Sequence, residues 1–174
     1  MTADEVLAGI RNIPDFPVKG IMFKDLTTVF QRPECLAWMR DEIVKTYRNC
    51  GITKVVGIES RGFILAPAVA IELGAGFVPV RKPGKLPFDT YEVSYQKEYG
   101  LDRIQMHTDA LTPDDVVLLH DDLLATGGSM AAALELVRKF NVKKVYVNFV
   151  VELTALNGRS KLEVATQVTS LLRC

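Results

Sequence analysis

The sequence is poor in several residues whose abundance would define a class of protein. Its three cysteines, Cys35, Cys50 and Cys174, form no CxxC pair and are too few for a disulfide framework. Free thiols of this kind suit a reducing compartment. The N-terminus is acidic and lacks the basic and apolar pattern of a signal peptide. We therefore expect a cytoplasmic protein.

A net charge is also lacking, since 21 lysines and arginines balance 21 aspartates and glutamates. No overall field draws the chain onto nucleic acid or an anionic membrane, so we expect neither as a partner. No apolar run approaches membrane-spanning length. The two histidines, His107 and His120, lie far apart in sequence, and we expect no dedicated protein metal site. Any attraction for an anionic ligand must therefore be local.

What the sequence does contain is an alternation of strand and helix patterns. Apolar runs rich in β-branched residues predict strands that are buried on both faces. These are 54–58, 116–119 and 145–151, with weaker candidates at 76–80 and 162–172. The helical candidates are 33–48, 61–73 and 129–140. This order predicts a single α/β domain, 1–174, with a central, mainly parallel sheet flanked by helices.

Two segments break the alternation. Residues 13–17 hold two prolines, which favour an extended arm that packs against the domain. Residues 81–99 hold two prolines, a glycine, several charges and three tyrosines. Because a connection of that length inside a compact domain is often a lid, we predict a flexible lid loop over approximately 82–99.

The most informative segment is 116–129. Its apolar strand ends in two adjacent carboxylates, Asp121 and Asp122, at the edge of the sheet where α/β folds bind ligands. Small residues follow, and at a helix N-terminus their open backbone N–H groups and hydroxyls suit a phosphate. These are Ala125, Thr126, Gly127, Gly128 and Ser129. The loop lacks a Walker lysine and GxGxxG spacing, which disfavours triphosphate hydrolysis and dinucleotide binding. Without a ligand it would be an ordinary strand–loop–helix turn.

The segment 116–129 resembles the phosphoribosyl pyrophosphate motif of the type I phosphoribosyltransferases. Four further regions resemble blocks of the adenine-specific members of that family, in the same order along the chain. They are the hood at 13–17 and 20–25, the pyrophosphate loop at 59–63, the two ends of the lid at 81–87 and 95–100, and a later block at 151–154 and 158–159. No single motif decides the base, but their order and spacing together indicate adenine.

This resemblance implies a type I phosphoribosyltransferase-like fold with a small N-terminal hood at approximately 1–32. It implies an enzyme of purine salvage that converts adenine and phosphoribosyl pyrophosphate to AMP and pyrophosphate through an oxocarbenium-like transition state. Magnesium is the implied cofactor, carried mainly by the oxygens of the sugar pyrophosphate rather than by protein side chains. Members of the family are generally homodimers, and we expect the same here.

The resemblance also implies a role for each candidate residue. Asp121 and Asp122 would bind the ribose hydroxyls, and the loop from Ala125 to Ser129 would hold the 5-phosphate. Glu98 and Arg61 would be catalytic, Glu98 by managing the proton of adenine and Arg61 by matching charge on the leaving group. The remaining implied contacts are Ser60, Arg61, Arg81, Lys82 and Lys85 with pyrophosphate, Met22, Phe23, Lys24 and Leu123 with adenine, and Tyr99 with the closed lid.

Plainer interpretations compete with these roles. Taken singly, Arg61 would be a surface cation, Glu98 a loop carboxylate and Phe23 a core residue. A phosphoribosyltransferase for hypoxanthine, guanine or xanthine shares the sugar motif, and a non-catalytic regulator could sense the sugar pyrophosphate. The hood and Glu98 favour adenine, and the short, weakly charged start of the chain argues against an added DNA-binding segment.

His120 and Lys97 replace residues that are usually apolar in the family. We expect the His120 side chain to point away from the ligand.

Overall fold

A computed structural model describes residues 1–97 and 100–174. Its centre is a five-stranded sheet in which all neighbouring strands are parallel, in the order β4-β3-β7-β8-β9. The strands are β3 (Lys54–Ile58), β4 (Gly76–Val80), β7 (Val116–Leu124), β8 (Lys144–Glu152) and β9 (Gln167–Arg173). The predicted parallel sheet is therefore confirmed.

Helices cover both faces of this sheet. One face packs against α3 (Pro33–Tyr47) and α4 (Ala66–Leu73), and the other packs against α5 (Gly128–Arg138). Alternate residues of β7 serve the two cores, since Leu118 lies in the first and Val117 in the second. This two-sided burial explains why the central strands are continuous apolar runs in the sequence.

Two predicted elements differ in detail from the structure. The helix expected at 61–73 begins as a 3-10 turn at Arg61–Phe63, and the α-helix proper starts at Ala66, where Pro67 fits the first turn. The strand expected at 162–172 is shorter: Gly158–Leu162 form a 3-10 turn, and β9 begins only at Gln167.

The N-terminal segment is more ordered than an extended arm. It contains α1 (Ala3–Ala8), an antiparallel ribbon of β1 (Arg11–Pro14) and β2 (Met22–Asp25), and α2 (Thr27–Phe30). The Thr2 hydroxyl accepts a hydrogen bond from the Glu5 backbone N–H, and the Glu5 side chain accepts one from the Thr2 N–H. This capping box starts α1, and these elements together span most of the range predicted for the hood.

The lid predicted at approximately 82–99 is a strand rather than a loop over residues 90–97. Residues Thr90–Lys97 form β5, which pairs with β6 (Gly100–His107) in an antiparallel ribbon. Val93 and Ile104 are opposite each other in this ribbon and are buried in the core beside α5. The outer face of this segment is polar, but its inner face is buried against α5, and this burial stabilises the ribbon. Flexibility of this segment remains a prediction.

Candidate active site

A cleft of about 740 Å³ opens at the carboxyl ends of the parallel strands. It brings together most of the residues predicted for the sugar and the pyrophosphate. These are Ser60, Arg61, Lys82, Asp121, Asp122 and the loop Ala125–Ser129. Because parallel strands present their carboxyl ends at one edge, the sheet itself assembles residues that are distant in sequence.

The two adjacent carboxylates lie at the end of β7. Asp122 is only 2% exposed, whereas Asp121 keeps some solvent contact although protein atoms surround it closely. Burial and the neighbouring charge of Asp122 raise the pKa of Asp121 well above its usual value. Burial also raises the pKa of Asp122, although the guanidinium of Arg61 opposes that shift.

Arg61 faces this acidic pair from the 3-10 turn that follows β3. Its Nε lies 3.2 Å from Oδ2 of Asp122, and that oxygen has no aligned hydrogen bond among the described residues. Close packing holds the turn in place, because a β-carbon on Gly62 would lie 2.8 Å from the backbone oxygen of His120. Arg61, predicted to bind pyrophosphate, and Asp122, predicted to bind the ribose, therefore contact each other without any substrate.

The small residues after β7 form a loop that enters α5. Gly127 is in the left-handed region, with φ at +83°, and α5 begins at Gly128 without a side-chain cap. The first backbone N–H groups of the helix therefore stay available for an anion. A β-carbon on Gly127 would lie 2.5 Å from the backbone oxygen of Gly158, so a second loop packs directly beneath this one.

The predicted basic residues are grouped around two carboxylates. Arg81 Nε lies 3.3 Å from Glu59 Oε2, and Lys85 Nζ lies 3.8 Å from the other oxygen. Lys82 instead contacts Asp102 of β6 and lies 3.3 Å from the Tyr95 hydroxyl. Only Lys82 of these three cations lines the cleft.

Asp102 gathers several donors at the ribbon side of the cleft. Its Oδ2 also lies 2.5 Å from Lys97 Nζ and accepts a hydrogen bond of 3.0 Å from the Tyr95 hydroxyl. Burial alone would raise the pKa of Asp102, but the hydrogen bonds from Lys82 and Lys97 lower it far below its usual range. Asp102 therefore carries a negative charge next to the predicted pyrophosphate site.

Comparison with known proteins agrees with this geometry. The family described as phosphoribosyl transferase domain matches residues 27–171. The chain belongs to this family. An adenine phosphoribosyltransferase from Bacteroides thetaiotaomicron is 56% identical over 172 residues, which cover 99% of this chain and 98% of the relative. One from Bacteroides fragilis is 58% identical over 94% of this chain and 92% of its own length.

Solved structures give the same assignment among adenine phosphoribosyltransferases. The enzyme from Giardia lamblia, complexed with 9-deazaadenine, has a TM-score of 0.95 and 46% identity, covering 100% of this chain and 98% of its own. The enzyme from Saccharomyces cerevisiae, complexed with an imino-altritol bisphosphate and adenine, has a TM-score of 0.90 and 39% identity, with 97% of each chain covered. The phosphoribosyltransferase fold predicted from the sequence is confirmed.

Within this phosphoribosyltransferase, the residues predicted to contact adenine divide into two groups. Leu123 lines the cleft, whereas Met22, Phe23 and Lys24 lie in β2 beside it and do not line it. Met22 is 52% exposed, and Lys24 donates a hydrogen bond of 2.7 Å to Asn12. Phe23 is half-buried, and its ring lies 5.6 Å from the Arg61 guanidinium carbon, so it is not a core residue.

Several other residues complete the description of the site. Glu98 and Tyr99 lie outside the described residues. His120 is buried, its Nδ1 lies 3.0 Å from Asn148 Oδ1, and burial lowers its pKa to about 4. Cleft residues that were not predicted to contact a substrate include Tyr95, Gln96, Lys97 and Lys161. Asp102, which binds Lys82 and Lys97 at the edge of the cleft, was also not predicted. Val93 and Tyr95 lie two residues apart, as on one face of a strand, and this spacing was the signal from which the ribbon could have been predicted.

Residues 1–97 and 100–174 contain neither a cluster of potential metal ligands nor a helix that could span a membrane. Over these ranges, no group of three or more histidine, cysteine, aspartate or glutamate side chains is arranged to hold a metal ion. None of the helices in the same ranges has the length and apolar character needed to cross a membrane.

Proposed function

We propose that this cleft transfers the 5-phosphoribosyl group of phosphoribosyl pyrophosphate to adenine and releases AMP and pyrophosphate. The observation that carries the proposal is the arrangement at the end of β7. There, two carboxylates lie between a backbone phosphate loop and the Arg61 guanidinium. A ribose 5-phosphate spanning this edge would meet amides at its phosphate, carboxylates at its hydroxyls and a cation at its C1 substituent.

The same arrangement suits the charges of the reaction. Bond breaking at C1 develops positive charge on the ribose and negative charge on the departing pyrophosphate. Asp121 and Asp122 would face the ribose, while Ser60, Arg61 and Lys82 would face the leaving group. Groups held in place before the reaction stabilise such charges without reorganisation, which lowers the barrier. Arg81 and Lys85 would add to the potential from behind Glu59.

Adenine would enter between the hood and Leu123, with Phe23 against its ring. Glu98 would manage the proton that the attacking nitrogen must lose, and Tyr99 would help to close the ribbon over the site. Exchange of Glu98 for glutamine keeps its shape but removes the charge. We expect it to lower kcat strongly while the KM for phosphoribosyl pyrophosphate changes little. Normal turnover in that variant would remove Glu98 from the mechanism.

Magnesium would accompany the sugar pyrophosphate. The buried Oδ2 of Asp122 and the side chain of Asp121 are carboxylate donors of the kind that suit this ion and its water ligands. When bound, the ion would neutralise part of the charge on pyrophosphate. The protein residues would still orient the ribose and the 5-phosphate.

The proposal extends to the state and location of the enzyme. A homodimer would cover the apolar side chains exposed on and beside α4, where Ile71 is 78% exposed and Ile64 and Phe77 are partly exposed. Sedimentation of the wild type and of Ile71→Asp tests this, since a monomeric wild type would contradict it. A cytoplasmic location, without nucleic acid or membrane partners, fits the three free cysteines and the zero net charge.

The experiment that tests the activity is formation of AMP from adenine and phosphoribosyl pyrophosphate with magnesium. Guanine, hypoxanthine and xanthine are assayed in parallel. Product from adenine alone supports the proposal. Product mainly from another base would move the enzyme to that specificity, and binding of the sugar pyrophosphate without any product would favour a sensor.

A further inference from the structure

The phosphate loop rests on the backbone of another segment of the chain. A β-carbon on Gly158 would lie 2.4 Å from the Ala125 oxygen and 3.0 Å from the Gly127 nitrogen. Gly158 is buried, and it begins the 3-10 turn Gly158–Leu162 that follows β8. Because the two backbones touch with no side chain between them, any shift of Gly158 changes the direction of the loop's N–H groups.

The next residue, Arg159, anchors this turn to the sheet. Its Nε donates a hydrogen bond of 2.9 Å to Glu152 Oε1, and its Nη2 donates to Oε2 of the same carboxylate. Its Nη1 donates a bond of 2.6 Å to the Val168 backbone oxygen in β9. A planar guanidinium fixed at three acceptors on two strands leaves the attached backbone little freedom.

Glu152 is well suited to act as that anchor. It ends β8, is 6% exposed, and also accepts a hydrogen bond of 2.7 Å from the Ser170 hydroxyl. A second arginine, Arg173, approaches the same carboxylate, with Nε 3.5 Å from Oε2. Arg173 is 62% exposed and lies in β9, with no connection along the chain to Gly158. The two arginines therefore share a partner but differ in what they could position.

We propose that Arg159, held by Glu152, is a positioning residue for 5-phosphate binding. It does not line the cleft and acts through Gly158, which supports the loop from Ala125 to Gly127. The identity of the phosphate as that of a ribose 5-phosphate rests on the proposed function. Phosphate affinity, rather than base affinity, is the property that this contact controls.

Exchange of Arg159 for lysine keeps the charge and removes the fork, and Arg173→Lys is the matched control. We expect Arg159→Lys to raise the KM for phosphoribosyl pyrophosphate by about tenfold or more, since a displacement of about 1 Å in a binding geometry can cost about 100-fold. The KM for adenine should stay within about twofold of the wild type, because a local shift of one loop leaves the base end unchanged. Arg173→Lys should leave both constants unchanged.

Equal changes in both Michaelis constants, equal effects of the two arginine variants, or an unchanged KM for the sugar would each overturn the proposal. Glu152→Gln keeps the side-chain shape and serves as a second variant with the same expected selectivity. Titration of ribose 5-phosphate by calorimetry reads the loop directly and needs no turnover. Absence of AMP formation by the wild type would contradict the proposed function, while this titration would still decide the role of Arg159.

Discussion

The Arg61 guanidinium and the Asp122 carboxylate form an ion pair across the floor of the cleft, with Nε 3.2 Å from Oδ2. Asp122 is almost fully buried, whereas Arg61 is 39% exposed and reaches toward the solvent side of the cleft. The pair keeps a buried charge compensated before any ligand binds. Since a pyrophosphate would attract the same guanidinium, ligand binding and the stability of this acidic pair are linked.

Exchange of Arg61 for glutamine tests the contribution of this ion pair to the reaction. It removes the cation from the leaving group and leaves the buried carboxylates without compensation, so we expect kcat/KM for phosphoribosyl pyrophosphate to fall by about 100-fold or more. Arg40→Gln is the control, because Arg40 pairs with its neighbour Asp41 at the surface. Steady-state kinetics of the two variants give the comparison, and equal activity would show that Arg61 does not contribute to the reaction.

Removal of the Asp102 charge is expected to strengthen, rather than weaken, the binding of pyrophosphate. Its carboxylate holds Lys82, which lines the cleft, so an incoming pyrophosphate must compete with it for this cation. We expect Asp102→Asn to tighten inhibition by pyrophosphate by about twofold to fivefold, the size of a partly screened ion pair. Glu92→Gln is the matched control, since Glu92 lies in the same ribbon and pairs with Arg103 outside the cleft. Weaker inhibition in Asp102→Asn would show that Asp102 instead orients Lys82 for the ligand.

The sequence predicted the centre of the fold because burial leaves a strong pattern there. Strands β3, β7 and β8 lie between two layers of helices, and each is apolar on both faces. The ribbon of β5 and β6 was missed for the opposite reason. Only one of its faces is buried, and charged residues such as Asp102 and Arg103 interrupt the apolar positions. In sequence, such a strand looks like a loop until α5 is known to cover Val93 and Ile104.

The candidate site follows the same division. Asp121, Asp122 and the glycine loop are contiguous, so the sequence predicted their grouping directly. Contacts between distant segments could not be predicted from any local pattern, because they depend on how the strands are ordered in the sheet. The support of Gly127 by Gly158 and the approach of Asp102 to Lys82 are of this kind.

The carboxylate of Asp121 is expected to lower stability at neutral pH. Burial raises its folded-state pKa above the ordinary value of 3.8, so the unfolded chain releases this proton at lower pH than the folded protein. Stability therefore falls as pH rises between these two values, and the full penalty remains above them. We expect Asp121→Asn to raise the free energy of unfolding at pH 7 by about 1 kcal/mol, at the expense of activity.

Urea unfolding of the wild type and Asp121→Asn from pH 4 to pH 7.5 measures this effect. The difference should shrink toward acid, where the wild-type carboxyl is also protonated in the folded state. Asp114→Asn, at an exposed position, provides the control and should give no such trend. A destabilised Asp121→Asn at pH 7 would mean that the ionised carboxylate is a net stabilising partner of its surroundings.

Gly127 and Gly128 form a natural pair for testing the phosphate loop. Alanine at Gly127 would combine a φ of +83° with a β-carbon 2.5 Å from the Gly158 oxygen, so the backbone itself must move. Alanine at Gly128 meets its nearest atom, on Tyr95, at 3.6 Å and starts a helix. We expect Gly127→Ala to lower the free energy of unfolding by about 2 kcal/mol or more and to abolish AMP binding. Gly128→Ala should keep the wild-type free energy of unfolding.

Denaturant unfolding and calorimetric titration of AMP together distinguish the two variants. Retained AMP binding in a folded Gly127→Ala would place the phosphate elsewhere in the cleft.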